Sequence, residues 1–337
     1  MPPDPRSIWT KRKKQIFSRD ELIAAAELVH SRMPATAQYA WPLLEARLGC
    51  KVWVKHENHT PTGSFKVRGA LTFIDWLKRT QPDCPGIITA TRGNHGQGQA
   101  MAATQAGLRA VICAPHGNSI EKNAAMRAFG AELVEVGTDF EAARDEALRI
   151  AAEEGLTFVP SFHHELVRGV ATYAYELLLA QPQIDTLYVP IGLGSGICGC
   201  IAARDALGLR TKIVGVVSEH APAAKLSAEA GRIIATDSAR TFADGVAVRE
   251  PAQAALDIYG PGAERIVTVT EEAVAEAIRV YYRDTHNLAE GAGAAALAAL
   301  MLEAGAMRGR EVAVILCGGN IDTGWFLTVM QGGVPKL

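Results

Sequence analysis

Short runs of apolar and β-branched residues recur along the chain, at residues 51–55, 86–90, 110–114, 132–136, 186–191, 212–217, 265–269 and 312–317. The runs are continuous rather than alternating, which is the pattern of strands covered on both faces, as in a parallel sheet. Between them the apolar positions take a helical period, over residues 96–106, 118–129, 140–154 and 271–282 among others, and these segments are rich in alanine. Ser18-Arg19-Asp20-Glu21 predicts a capping box ahead of Leu22, Ile23, Ala26 and Val29. Thr270 predicts a second helix cap, with Glu271 and Glu272 in the first turn, where the helix dipole favours negative charge. Strand–helix alternation over the whole length predicts an α/β architecture whose functional residues lie at the carboxyl ends of strands.

At 337 residues the chain is long for one small core, and no Pro/Gly/Ser-rich linker divides it. We therefore expect a large domain built from residues 1–84 and 161–337, with a smaller α/β domain, residues 85–160, inserted into it. A hydrophobic fraction of 48% and a charged fraction of 21% exclude global disorder. The balance of 34 basic and 36 acidic residues excludes a general nucleic-acid binder. The local exception, Lys11-Arg12-Lys13-Lys14, reads as a solvated tail. No apolar run reaches the ~18 residues of a membrane span, and the N-terminal segment has no apolar core of a secretory signal. Six cysteines are too sparse for a disulfide scaffold and lack zinc spacing. A cytoplasmic protein with reduced thiols and no metal site is expected.

Four segments carry candidate chemistry. Ser64-Phe65-Lys66-Val67-Arg68-Gly69-Ala70 follows the first apolar run and opens a helix. A lysine at a helix N-terminus meets the positive end of the dipole, which lowers its pKa and makes its amine a better nucleophile. Gly192-Leu193-Gly194-Ser195-Gly196 follows a strongly hydrophobic run and precedes a small-residue helix, so its backbone N–H groups suit a phosphate. As a dinucleotide fingerprint it is weak, since Ile197 stands where a third glycine belongs and Glu219 is only a loose acidic partner. An NAD-dependent oxidoreductase stays open on this segment alone. Arg92-Gly93-Asn94-His95-Gly96 and Cys317-Gly318-Gly319-Asn320 present small and polar groups at two further strand ends.

Taken together, these segments resemble the serine/threonine dehydratase family of pyridoxal-phosphate enzymes, of the tryptophan-synthase-β type (fold type II). The resemblance spans roughly residues 20–325. The family's S-F-K-x-R-G-A is matched at residues 64–70, its G-N-H-x-Q-G at 93–98, its A-D-G-x-A-V at 243–248 and its S/C-G-G-N at 317–320. The resemblance implies a two-domain α/β fold with a parallel-sheet large domain and a cofactor, pyridoxal 5'-phosphate, in Schiff-base linkage to the catalytic Lys66. It implies that Phe65, Asn94, Gly192, Leu193, Gly194, Ser195, Gly196, Glu290 and Cys317 bind the cofactor. Asn94 would contact the phenolic oxygen and Cys317 would face the pyridine nitrogen. Ser64, Arg92, Gly93 and His95 would bind the substrate. The implied reaction removes water and ammonia from a β-hydroxy amino acid such as L-threonine or L-serine. The alternative is a specialised eliminase acting on hydroxyaspartate, phenylserine or an ectoine-pathway substrate. A homodimer is expected, with no nucleic-acid or membrane partner.

Several positions depart from the family pattern. Leu193 and Ser195 interrupt the family's tetraglycine, so the Leu193 side chain must point away while the Ser195 hydroxyl faces the phosphate. Gly291 replaces the proline after Glu290, and Val217 and Ala223 stand at the metal carboxylate positions, so metal activation is not implied. His163-His164 replaces an acidic pair and reads as a turn. No regulatory domain is expected after residue 325. Arg92 replaces a small residue that serves racemases as a second base, so racemase activity is not implied. An arginine beside a helix N-terminus opposes the dipole and calls for an anionic neighbour. Both a protein carboxylate and a substrate carboxylate satisfy that requirement.

Overall fold

The structure is a computed structural model that describes residues 15–336, so the basic arm at residues 11–14 lies outside the described residues. The strands are β1 (Gln38–Ala40), β2 (Lys51–His56), β3 (Gly86–Ala90), β4 (Arg109–Ala114), β5 (Glu132–Glu135) and β6 (Thr157–Phe158). They continue with β7 (Thr186–Pro190), β8 (Lys212–Ser218), β9 (Arg265–Val269) and β10 (Glu311–Leu316). Helices α1 (Arg19–His30), α2 (Pro42–Leu48), α3 (Lys66–Thr80), α4 (Asn94–Gln105), α5 (Ile120–Ala128), α6 (Phe140–Glu154) and α7 (His164–Ala180) occupy the first half. In the second half stand α8 (Ser195–Ala206), α9 (Ala223–Ala230), α10 (Gln253–Gly262), α11 (Glu271–Thr285), α12 (Gly291–Leu302), α13 (Ala304–Met307) and α14 (Thr323–Met330).

All eight apolar runs are strands, and they separate into two sheets. One has six strands in the order β1-β2-β10-β7-β8-β9, and the other has four in the order β5-β4-β3-β6. Every pairing is parallel except that of the short edge strand β1 with β2. The runs did not signal β1 or the two-residue β6. Gln38-Tyr39-Ala40 has no apolar run of its own, and its pairing with Trp53, Val54 and Lys55 makes it a strand. The Ser18–Glu21 capping box and the Thr270 cap both form as expected.

Alternate residues of each strand serve opposite cores. Leu187, Val189, Ile213 and Ile315 pack under α7, α8 and α10, while Tyr188, Val214, Val216 and Val314 pack under α11 and α12. Ile87 and Ala110 of the smaller sheet face α3 and α4, and Ile88 and Val111 face α6. The chain leaves the large sheet after β2, builds the small sheet between residues 86 and 158, and returns at β7. We propose residues 85–160 as the smaller lobe, a boundary supported by its containing all four strands of one sheet and none of the other.

Beneath the site lies a buried charge cluster with no sequence signal beyond Arg68's place in its motif. Arg68, fully buried on α3, donates to Glu57 at 2.7 and 3.0 Å, to Glu176 at 2.6 and 3.0 Å, and to Thr172 and Thr36. Lys55 Nζ donates to Glu176 at 2.6 Å and to the Thr36 carbonyl at 2.9 Å. Two carboxylates and two cations are thus closed into one network that ties α3 to β2 and α7, and this holds the head of α3 in place.

Candidate active site

The carboxyl ends of β2, β10 and β7, which are neighbours in the large sheet, carry three of the four segments. Segment 64–70 is clamped directly to the end of β10. Phe65 N–H donates to the Cys317 carbonyl at 3.0 Å, and Ser64 bridges Gly318 as an isolated antiparallel pair. Lys66 is the first residue of α3. Its Nζ donates to Ser195 Oγ at 3.3 Å and lies 4.6 Å from the Phe65 ring centroid. Desolvation lowers the pKa of the amine, while nearby Cys317 and Glu290 oppose that shift. Burial raises the Cys317 thiol well above its ordinary range, so the group stays protonated and neutral.

The glycine segment turns from β7 into α8, with Gly194 as N-cap and no side chain capping the helix. Gly194 has φ +102°, and a Cβ on Gly192 would lie 2.2 Å from the Gly245 carbonyl. Glycine is therefore required at both. The backbone N–H groups at the head of α8, with the dipole behind them, form a cradle for an anion beside the Lys66 amine. Ser195 is buried and Leu193 half-buried, outside all four apolar clusters. Below the loop, Tyr173 donates its hydroxyl to the Gly196 carbonyl at 3.1 Å and sets its ring edge-on to Phe65.

The fourth segment arrives from the small sheet. Gly93 is the N-cap of α4, again without a side-chain cap. Asn94 Nδ2 donates to Glu290 Oε1 at 2.8 Å, across 196 residues of sequence. Burial pushes Glu290 up to about 7, opposed by Lys122, the Asn94 hydrogen bond and Lys66. His95 is held neutral, with a pKa of about 3, by burial and by the charge of Lys66, against a hydrogen bond with the Val159 backbone. Ser64 Oγ and His95 Nε2 are buried with no protein partner, and such groups call for a ligand. Gly291 heads α12, where a Cβ would meet the Ala243 Cα at 2.7 Å. The absent proline therefore coincides with a close approach of the 243–248 segment.

Arg92 is exposed and forms no ion pair among the described residues, and only its carbonyl is held, by Asn118 Nδ2 at 3.1 Å. Among the described residues, then, no protein carboxylate answers this arginine. His163 caps α7, its Nδ1 accepting from Glu165 N–H, with its ring against Phe73 and Trp76, as the turn reading expects. No cluster of three or more metal-ligating side chains occurs among the described residues. Sequence reasoning missed Lys122 and Asp244, which pair at 2.7 Å beside Glu290 and join α5 to the 243–248 segment. Asp244 lay inside a matched motif, but Lys122 had no signal at all.

A family model described as pyridoxal-phosphate dependent enzyme matches residues 35–318. The chain is similar to the L-threonine ammonia-lyase of Geobacter sulfurreducens, 34% identical over 313 residues, which are 93% of this chain and 75% of that one. It is also similar to an L-threo-3-hydroxyaspartate ammonia-lyase of Pseudomonas sp, 30% identical over 319 residues, or 94% of this chain and 100% of that one. Among solved structures, the processed form of threonine deaminase isoform 2 from Solanum lycopersicum superposes with a TM-score of 0.87 at 28% identity, over 95% of both chains.

Proposed function

The chain belongs to the pyridoxal-phosphate dependent enzymes, and from that premise we propose that it eliminates water from a β-hydroxy amino acid, the product taking water back to release ammonia and leave a 2-oxo acid. The reading rests above all on one observation: the Lys66 amine stands 3.3 Å from Ser195, at the head of the glycine cradle. The family match displaces the nicotinamide reading of that cradle. The residues fit pyridoxal phosphate on structural grounds, since an amine of lowered pKa, an uncapped helix head built on glycine, and a neutral thiol share one cleft.

When bound, the cofactor supplies an aldehyde that condenses with amines and a ring that takes up negative charge from the substrate's Cα. Gly192, Leu193, Gly194, Ser195 and Gly196 would hold its phosphate, and Asn94 and Glu290 would border its ring. Lys66 would serve twice, its amine anchoring the cofactor and the same amine, when free, taking the Cα proton. The lowered pKa keeps that amine neutral for a larger share of the time, as both tasks require. Cys317, held protonated, would bring no compensating charge to a pyridine nitrogen, which favours prompt loss of the β-hydroxyl as water, with the proton that Lys66 takes from Cα balancing the leaving group. The uncapped head of α4, with Gly93, His95 and Ser64, would receive the substrate carboxylate. Water then returns as the product hydrolyses to a 2-oxo acid and ammonia.

A screen of β-hydroxy amino acids for 2-oxo acid release tests the proposal. Release is expected from at least one of L-threonine, L-serine, hydroxyaspartate or phenylserine, and none from any of them would overturn it. A homodimer acting in the cytoplasm belongs to the same proposal, and sedimentation velocity tests the dimer. Among the described residues no helix is long and apolar enough to cross a membrane.

Arg92 favours a second reading, a substrate with two carboxylates. Its planar guanidinium suits a carboxylate better than a methyl group, and it stands exposed beside the α4 head. Losing a charge-assisted contact costs about 2 kcal/mol, or roughly 30-fold in kcat/KM. Arg92→Ala is therefore expected to lose at least about tenfold on the preferred substrate, and more on hydroxyaspartate than on threonine if the β-substituent is what it binds. Unchanged kcat/KM on every substrate would remove Arg92 from the site.

A further inference from the structure

The loop after β10 contributes more to the site than the Cys317 thiol. Asn320 Nδ2 donates to the Thr62 carbonyl at 2.9 Å and to Asn94 Oδ1 at 2.7 Å, with a longer approach to Gln97 Oε1 at 3.4 Å. An amide nitrogen carries two hydrogens, and the two short contacts use both. Each of those partners is an oxygen, so only the amino side of Asn320 satisfies them. The loop itself is docked, because Gly319 N–H donates to the Gly63 carbonyl at 2.9 Å. Gly63 has φ +69°, and a Cβ there would lie 2.5 Å from Asn320 Oδ1, so the carbonyl side of Asn320 rests against a residue that must be small.

Asn94 has no such internal reason to choose an orientation, because its amide oxygen and nitrogen have nearly the same shape. Asn320, a donor on the oxygen side, and Glu290, an acceptor on the nitrogen side, together remove the choice. With its oxygen taken by Asn320, Asn94 turns its nitrogen to Glu290 Oε1 at 2.8 Å, and a second N–H of that nitrogen remains to donate into the cleft. We propose that Asn320 is a positioning residue, which fixes the Asn94 amide so that its N–H side, and not its carbonyl, faces the cofactor. This rests on the proposed function, in which Asn94 meets an oxygen of pyridoxal phosphate. A carbonyl turned there would set two lone pairs against each other instead of forming a hydrogen bond.

Asn320→Asp in the holoenzyme tests the inference. The variant keeps the shape but cannot donate to either Thr62 or Asn94, so Asn94 loses the contact that orients it. The visible absorption band of the bound cofactor is expected to shift, with its pH titration midpoint displaced by about one unit or more, a tenfold change in the proton equilibrium. The loss in activity is expected in kcat more than in KM. Asn94→Asp, which leaves Asn320 and its acceptor contact in place, is expected to displace the band in the same direction, and it serves if Asn320→Asp does not fold. In the double variant the two displacements should not add, since they act through one contact. A band and titration unchanged in Asn320→Asp, or, where that variant does not fold, in Asn94→Asp, would overturn the assignment, and so would full additivity. A parent protein with no Lys66-dependent visible band would instead overturn the proposed function.

Discussion

Lys66→Ala is expected to lower 2-oxo acid release by roughly 10³-fold or more, because one change removes both the covalent anchor and the base for the Cα proton. The fold is expected to survive. Alanine is the best helix former, and the change takes a cation away from the first turn of α3, where the dipole opposes it. The cavity left faces the cleft rather than a closed core. Turnover and thermal unfolding measured on the same preparation separate the two effects. Near-parent turnover with unchanged stability would remove Lys66 from the reaction and with it the reading of the whole cleft.

Arg68→Met, two residues along the same helix, is expected to do the reverse, acting on stability before chemistry. Its guanidinium is fully buried and bonded to Glu57, Glu176, Thr172 and Thr36. A methionine of similar volume fills the space but leaves two carboxylates facing Lys55, with the His30 ring 2.8 Å from Glu176 on the outer side. Breaking a buried ion pair in this way costs about 3–5 kcal/mol, to be read from denaturant unfolding at neutral pH. The acid limb supplies a second check. Burial disfavours the charged Glu176, but Arg68 and Lys55 outweigh it and hold the pKa at about 2, below its ordinary 4.5. A carboxylate depressed on folding contributes its stability above the unfolded pKa and loses it as pH falls through the folded one. The parent should therefore weaken between pH 4.5 and 2, and Arg68→Met should show a shallower loss over that range. A variant within about 1 kcal/mol of the parent at neutral pH would mean that the network does not support α3.

The two changes act on different levels because α3 serves two functions. Its first residue faces the cleft, and its third anchors the helix to β2 and α7. Thr36, Glu57 and Glu176 were not legible as partners of Arg68, since they lie 32, 11 and 108 residues away from it and no local pattern links them. Lys122 was invisible for the same reason, as an ordinary lysine on a surface-patterned helix until α5 is set against the 243–248 segment.

Arg92 illustrates a different limit. The sequence shows an arginine where the dipole disfavours one, and this poses the question of a compensating anion. Only the packed chain shows that no carboxylate among the described residues pairs with it, because which side chains reach residue 92 depends on how the loop after β3 lies.

What the sequence determined by itself was local or motif-borne. Continuous apolar runs marked the eight principal strands, Ser18 and Thr270 marked two helix starts, and glycine spacing marked the turn into α8, because each of these signals acts between residues a few positions apart. The order β1-β2-β10-β7-β8-β9 was not in any such signal, and that order brings Lys66, Ser195 and Cys317 to one edge. The orientation of Asn94, set by Asn320 and Glu290 from 226 and 196 residues away, was likewise decided only in the folded chain. Hydrogen bonds and desolvation act through space at a few ångströms, so the pKa of a lysine or the choice of amide face exists only once packing has fixed its neighbours.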